Sequence, residues 1–152
     1  MTEATKQTTA TAREVVERLR VAMETRNNDD FIDQFAEDGV YEAPFALGDT
    51  PSRFDGITEI RTHLGAENPM ANLLEFHKVS VDVQQSIDPE VVTVEFRIEG
   101  KSLGTGELFA FPSSIGVIRV RDGKIAYYRD HANILRGAQL AGVLPQFAAS
   151  LA

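Results

Sequence analysis

The chain has 152 residues, 43% of them hydrophobic and 25% charged, with a formal net charge of −8. That length suits one domain able to bury a core without covalent staples. The absence of cysteine excludes a disulfide framework, a thiolate metal site and a cysteine nucleophile. The acidic balance and the scattered Lys and Arg argue against a nucleic-acid partner, whose phosphates need clustered cations. No apolar run approaches the ~20 residues of a membrane helix, and the polar start from Met1 to Thr11 has no signal-peptide core. A cytoplasmic protein with no membrane partner is the expectation.

Residues 1–10 read as a disordered tail, and 11–152 as a single domain. From Ala12, the apolar positions Val15, Val16, Leu19, Ala22 and Met23 recur at helical spacing, with Arg13, Glu17, Arg20 and Glu24 opposite. Thr11 and Glu14 have the spacing of a capping box. Asn27-Asn28-Asp29 ends this helix, and a second, from Asp30 to Glu37, is closed by Asp38-Gly39. Val40 to Phe45 reads as a short strand, and Gly48 to Ser52 as a loop. Ile57, Ile60, His63 and Leu64 mark a third helix, ended by Gly65.

Beyond Glu75 the period changes to two. Val79, Val81 and Val83 alternate with polar residues, and Val91 to Glu99 alternates after the turn at Asp88-Pro89-Glu90. Glu107 to Arg121 is a long strand that Pro112 bends or bulges. Asp122-Gly123 predicts a type I′ hairpin turn, and Ile125 to His131 is the last strand. The apolar tail from Ile134 to Leu151 reads as helix interrupted by Pro145. Helices followed by a run of strands define an α+β fold. The expected architecture is a strongly curved antiparallel sheet, wrapped by the N-terminal helices into a cone with a deep pocket.

Two residues stand out chemically. Tyr128, Asp130 and Ala132 share one face of the last strand. A carboxylate there, on a concave face, would be desolvated and pushed toward a useful acid/base range. On the solvated face, Asp130 would only pair with an Arg of a neighbouring strand. His63 shares a helical face with Ile60 and Leu64; a histidine so placed is either a core residue or an acid/base group. Glu95 and Arg97 share one face of their strand, either lining the pocket or forming a solvent-facing pair, since strand register is not fixed by pattern alone. Tyr41, Phe45 and Ile60 complete the candidate substrate-binding set. Three dispersed histidines form no metal signature, and the glycines form no phosphate loop, so neither metal nor cofactor is expected.

Three texts carry a resemblance: Asn28 to Tyr41, Phe54 to Ile60, and Asp122 to Asn133 with the tail that follows. In that order and spacing they resemble the SnoaL-like group of the nuclear transport factor 2-like (cystatin-like) superfamily over roughly residues 12–145. The resemblance implies a pocketed fold, usually a homodimer, and a small hydrophobic or aromatic ligand. Within it the closest likeness is to the PhzA/PhzB-like proteins of phenazine biosynthesis. Asp130 falls at the position of their catalytic Glu, and also of the catalytic Asp of limonene-epoxide-hydrolase-like proteins. His63 falls on the helix that carries the acid/base His of PhzA/PhzB.

Departures limit what carries over. Where the epoxide hydrolases have Arg-x-Asp, this chain reads Glu95-Phe96-Arg97, and Tyr41 is matched but Ala43 replaces their Asn. The general-base Asp of ketosteroid isomerase would fall at Ala43 and its second Asp near Gly116, so that reaction is not expected. The leading expectation is a cofactor-free isomerase or cyclase acting on an apolar carbonyl compound, with Asp130 moving the proton, His63 as its partner, and Tyr41, Tyr128, Arg97 and Glu95 orienting substrate. Epoxide hydrolysis, a ligand-binding module without chemistry, and a protein-interaction domain are the alternatives.

Overall fold

The computed structural model describes residues 8–152; most of the expected N-terminal tail, residues 1–7, lies outside them. Helix α1 (Ala12–Glu24) opens on the expected capping box: Thr11 accepts from the Glu14 backbone, and Glu14 accepts from the Thr11 backbone. Such a cap contributes about 1 kcal/mol. Its buried stripe, Ala12, Val15, Val16, Leu19 and Ala22, lies on the sheet. The helix ends in a Schellman arrangement, with Asn27 N–H donating to Ala22 C=O at 2.8 Å and Arg26 N–H to Met23 C=O at 3.1 Å. The left-handed residue this motif requires is Arg26, at φ 56°. Glycine takes that conformation freely, whereas a side chain there costs roughly 1–2 kcal/mol.

Helix α2 is shorter than expected, Asn28–Ile32, and strand β1 (Phe35–Glu42) starts earlier. The Asn27 side chain caps α2 by accepting from Asp30 N–H. The residues read as its C-terminal half are drawn instead into the sheet, where Phe35 pairs with Ile125. Strand β2 (Arg53–Asp55) and helix α3 (Ile57–Leu64) follow. After a 3₁₀ turn at Ala71–Leu73 come β3 (Leu74–Gln85), β4 (Val91–Ser102), β5 (Leu108–Arg121) and β6 (Lys124–Ala132). The turn between β5 and β6 places Asp122 at φ 52° and Gly123 at φ 76°, the two positive values of a type I′ hairpin. The tail forms α4 (Ile134–Ala141) and α5 (Leu144–Ser150). The break falls at Gly142, left-handed at φ 78°; Pro145 sits in the first turn of α5, where its missing N–H costs nothing.

The six strands form one sheet in the order β2-β1-β6-β5-β4-β3. Two features correct the expected architecture. β1 runs parallel to β6, with Tyr41 beside Tyr128, so the sheet is mixed rather than antiparallel. Nor is it strongly curled or closed into a cone: its edges, β2 and β3, do not pair with each other. The three-residue β2 bonds only to β1, too little strand to carry a closure, which needs every edge paired at a consistent stagger.

Two register breaks set which side chains face the helices. Opposite β4, the pairing passes from Phe96↔Ser114 to Arg97↔Pro112, leaving Ser113 as the extra residue of a bulge beside Pro112. Parity flips there. Phe109 and Phe111 before it, and Gly116, Ile118 and Val120 after it, are all buried. In β6, the step from Tyr127 to Ile125 opposite consecutive β5 residues skips Ala126, so Ile125 and Tyr128 point the same way and Asp130 follows them.

Candidate functional site

Asp130 stands on the helix-covered face of β6, directly across from Gly116 and, one strand further, Val94. Aromatic rings surround it. Tyr41 and Tyr128 lie with centroids 5.6 Å apart, Phe35 stacks on Tyr128 at 6.1 Å, and Phe31 closes on both Phe35 and Tyr128. Gly116 makes room for this packing, because a Cβ there would lie 3.0 Å from Cε1 of Tyr128. The Tyr41 hydroxyl donates to Oδ2 of Asp130 at 2.5 Å, a charge-assisted distance. Oδ1 exposes less than 1 Å² and has no hydrogen-bond partner.

The electrostatics follow from this burial. Desolvation raises the Asp130 pKa, against the lowering effect of the Tyr41 hydrogen bond and of nearby His131. Burial also pushes the Tyr41 and Tyr128 phenols well up, and the Asp130 charge adds to both. Both phenols therefore hold their protons, and Tyr41 donates its own to Asp130.

Helix α3 supplies His63. Fully buried Ile60 pins the helix one turn earlier, and the imidazole lies flat on Phe54, centroids 4.0 Å apart at 12°. It also meets Tyr41 at 5.9 Å. Burial lowers its pKa, leaving a neutral ring near pH 7. Asp130, His63 and Tyr128 all line one cavity of about 700 Å³. Tyr41 and His63 also line a second, of about 1150 Å³, walled by Leu47, Met70, Ile134 and Phe147. His63 is thus common to both chambers, and Tyr41 bridges it to Asp130.

Four expected residues are not brought here. Val92, Val94, Phe96 and Ile98 are the buried set of β4, and the two-residue period turns Glu95 and Arg97 outward, onto the face carrying Ile115 and His131. Phe45 is 64% exposed and packs edge-on against His131 at 5.0 Å. Ile60 serves the core and borders neither cavity. Conversely, Arg26, Phe31, Phe76 and Ser114 line the Asp130 cavity and do not stand out in the sequence. Ser114 faces it only because of the bulge at Ser113. A strand proline followed by two serines was the available signal. Among the described residues no group of three His, Cys, Asp or Glu is arranged to hold a metal ion.

The fold has known counterparts. The SnoaL-like domain family matches residues 16–128, and the chain belongs to that family. It is 29% identical over 131 residues to an uncharacterized PhzA/B-like protein of Pseudomonas aeruginosa, covering 86% of this chain and 90% of that one. It is 33% identical over 99 residues to the uncharacterized protein YesE of Bacillus subtilis, spanning 65% of each chain. Among solved structures, a candidate isomerase from Bacillus subtilis superposes with a TM-score of 0.72 at 26% identity, covering 87% of this chain and 93% of that one.

Proposed function

We propose that the protein is a small-molecule isomerase or cyclase that uses acid/base catalysis on an apolar carbonyl compound. The observation that carries this reading is Asp130 on the wall of a cavity, a buried carboxylate whose Oδ1 has no hydrogen-bond partner. A buried carboxylate oxygen without a donor is costly, and a substrate C–H or O–H is a group that could use it. In the proposed step, the Asp130 carboxylate takes a proton from the carbon next to the carbonyl, leaving an enolate. The resulting carboxylic acid then returns that proton to a different carbon. Tyr128 and neutral His63 are donors for the developing oxyanion, and Tyr41 fixes the carboxylate through Oδ2. The fold relationship to a candidate isomerase and the PhzA/B-like relative support this class.

The test is a screen of carbonyl metabolites in D₂O with wild type and Asp130→Asn, read by mass spectrometry for deuterium uptake and product. Wild-type exchange or turnover should fall about 10²–10⁴-fold in the variant. Unchanged turnover in Asp130→Asn would remove Asp130 from the chemistry. Tight binding by both proteins, with no exchange or product in either, would instead identify a ligand-binding domain.

A further inference from the structure

The second chamber is the larger, about 1150 Å³ against about 700 Å³, and its walls are sorted by polarity. The loop after β1, the segment before β3 and the C-terminal helices supply Ala46, Leu47, Met70, Leu73, Ile134 and Phe147, all half-buried and all apolar. The polar wall residues Asp49, Thr50, Asn68, Gln146 and Ser150 are all exposed and so form a rim. Among the described residues, Asp49 is the one acidic or basic side chain of this wall, whereas Arg26, Glu67 and Asp130 all border the first chamber. The Tyr41 hydroxyl is taken up by Asp130. The inner wall therefore offers a ligand one free polar side chain, His63, where the two chambers meet.

Helix α5 adds a second observation. It has no buried residue, and among the described residues its hydrogen bonds stay within 143–152. Apolar contact holds it over the chamber. Phe147 stands on the wall, and the Leu151 side chain closes on Gly48 of the facing loop, where a Cβ would lie 3.2 Å from Leu151 Cδ2. A hydrocarbon beneath this helix would take more of that apolar surface out of water. The lining is mostly aliphatic, and Met70 brings an unbranched side chain that adapts to an irregular neighbour. A chain with freely rotating bonds can follow the wall past His63 from one chamber into the other. We infer that the second chamber is a binding site for an uncharged aliphatic chain, carried by a ligand whose carbonyl end lies at Asp130. The carbonyl end rests on the proposed function, but the chain site does not depend on proton transfer by Asp130.

The test uses straight-chain methyl ketones of four to twelve carbons, dialysed to equilibrium against the full-length protein, with free ketone read by mass spectrometry. In wild type the affinity should rise about fourfold for each added methylene until the chamber is filled. Ala46→Phe narrows the chamber, and Met70→Gln puts an amide on its inner wall. Each should weaken the longest ketones about tenfold or more and leave the shortest that wild type binds unchanged. Thermal melts run in parallel: Met70→Gln changes side-chain volume little, so it keeps the test valid should Ala46→Phe lower the melting temperature. Asp130→Asn should keep the dependence on chain length in full, so a failure of proton transfer and a failure of the chain site are told apart. A wild type whose binding does not rise with chain length, including by binding no ketone at all, overturns the inference. So does a rise that survives unchanged in both chamber variants, which would place the chains elsewhere on the protein.

Discussion

Tyr41 satisfies one oxygen of Asp130 and leaves the other alone: its hydroxyl sits 2.5 Å from Oδ2, while Oδ1 is sealed from solvent without a donor. The parallel pairing of β1 with β6 produces this asymmetry. It sets Tyr41 beside Tyr128, two residues short of Asp130, so the phenol reaches the carboxylate from one side only.

Removing the carboxylate should change how stability depends on pH. Burial raises the folded-state pKa of Asp130, so its contribution to stability is fully present below the ordinary carboxylate range. It is lost as pH rises through the raised value, because the buried group must then ionise. Asn does not titrate. The melting temperature of Asp130→Asn minus that of wild type should therefore increase from pH 3 toward neutrality. A difference that is flat across that range would mean Asp130 titrates normally.

Tyr41→Phe retains the ring and deletes the donor. Both carboxylate oxygens then lack partners, and the expected cost is about 1–3 kcal/mol, measured by urea unfolding at pH 7. The lost hydrogen bond had lowered the Asp130 pKa, so its titration, followed by carboxyl carbon NMR, should move further up. A downward movement would contradict the assigned hydrogen bond.

His63→Phe should preserve the stack on Phe54 and change stability by less than about 1.5 kcal/mol, while lowering any turnover about 10²-fold or more. Burial lowers the His63 pKa, so the stability linked to this group is present above the ordinary imidazole value and lost as pH falls through the folded one. The Phe variant should lack that acid-side loss. Full turnover in His63→Phe would restrict the residue to packing.

Gly116→Ala distinguishes a crowded glycine from an ordinary strand glycine. Alanine in an open strand position would add roughly 0.5–1 kcal/mol. Here its Cβ would lie 3.0 Å from Tyr128 Cε1 and 3.3 Å from Val94 Cγ2, an overpacking that should cost about 1–3 kcal/mol and alter the near-UV spectrum of the tyrosines. A gain in melting temperature would show that Tyr128 is free to move aside.

Legibility followed the range of the interactions. Helix α1, its capping box and the Asp122-Gly123 turn depend on residues a few positions apart, and the sequence displays all three. Alternation also grouped Asp130 with Tyr128 on one face of the last strand, but left open whether that face met the helices or solvent. The parallel pairing of β1 with β6 and the open edges were not readable, since no local pattern distinguishes a strand's neighbours across some 85 residues of chain. Glu95 and Arg97 illustrate the same gap: alternation grouped them correctly but could not say which group met the helices. Arg26 and Ser114 reach the cavity through a left-handed helix terminus and a bulge, backbone events that hydrophobic periodicity does not encode.

The bulge at Ser113 divides β5 into two halves of opposite phase, odd-numbered residues inward before it and even-numbered inward after it. Deleting that single residue would leave each half locally sound but out of step with the other. Either Phe109 and Phe111 or Ser114, Gly116 and Ile118 would have to face the wrong side. This stretch of chain should accept replacements at Ser113 far more readily than a change in its length, so the spacing from Phe111 to Gly116 acts as a ruler between the core and the cavity floor.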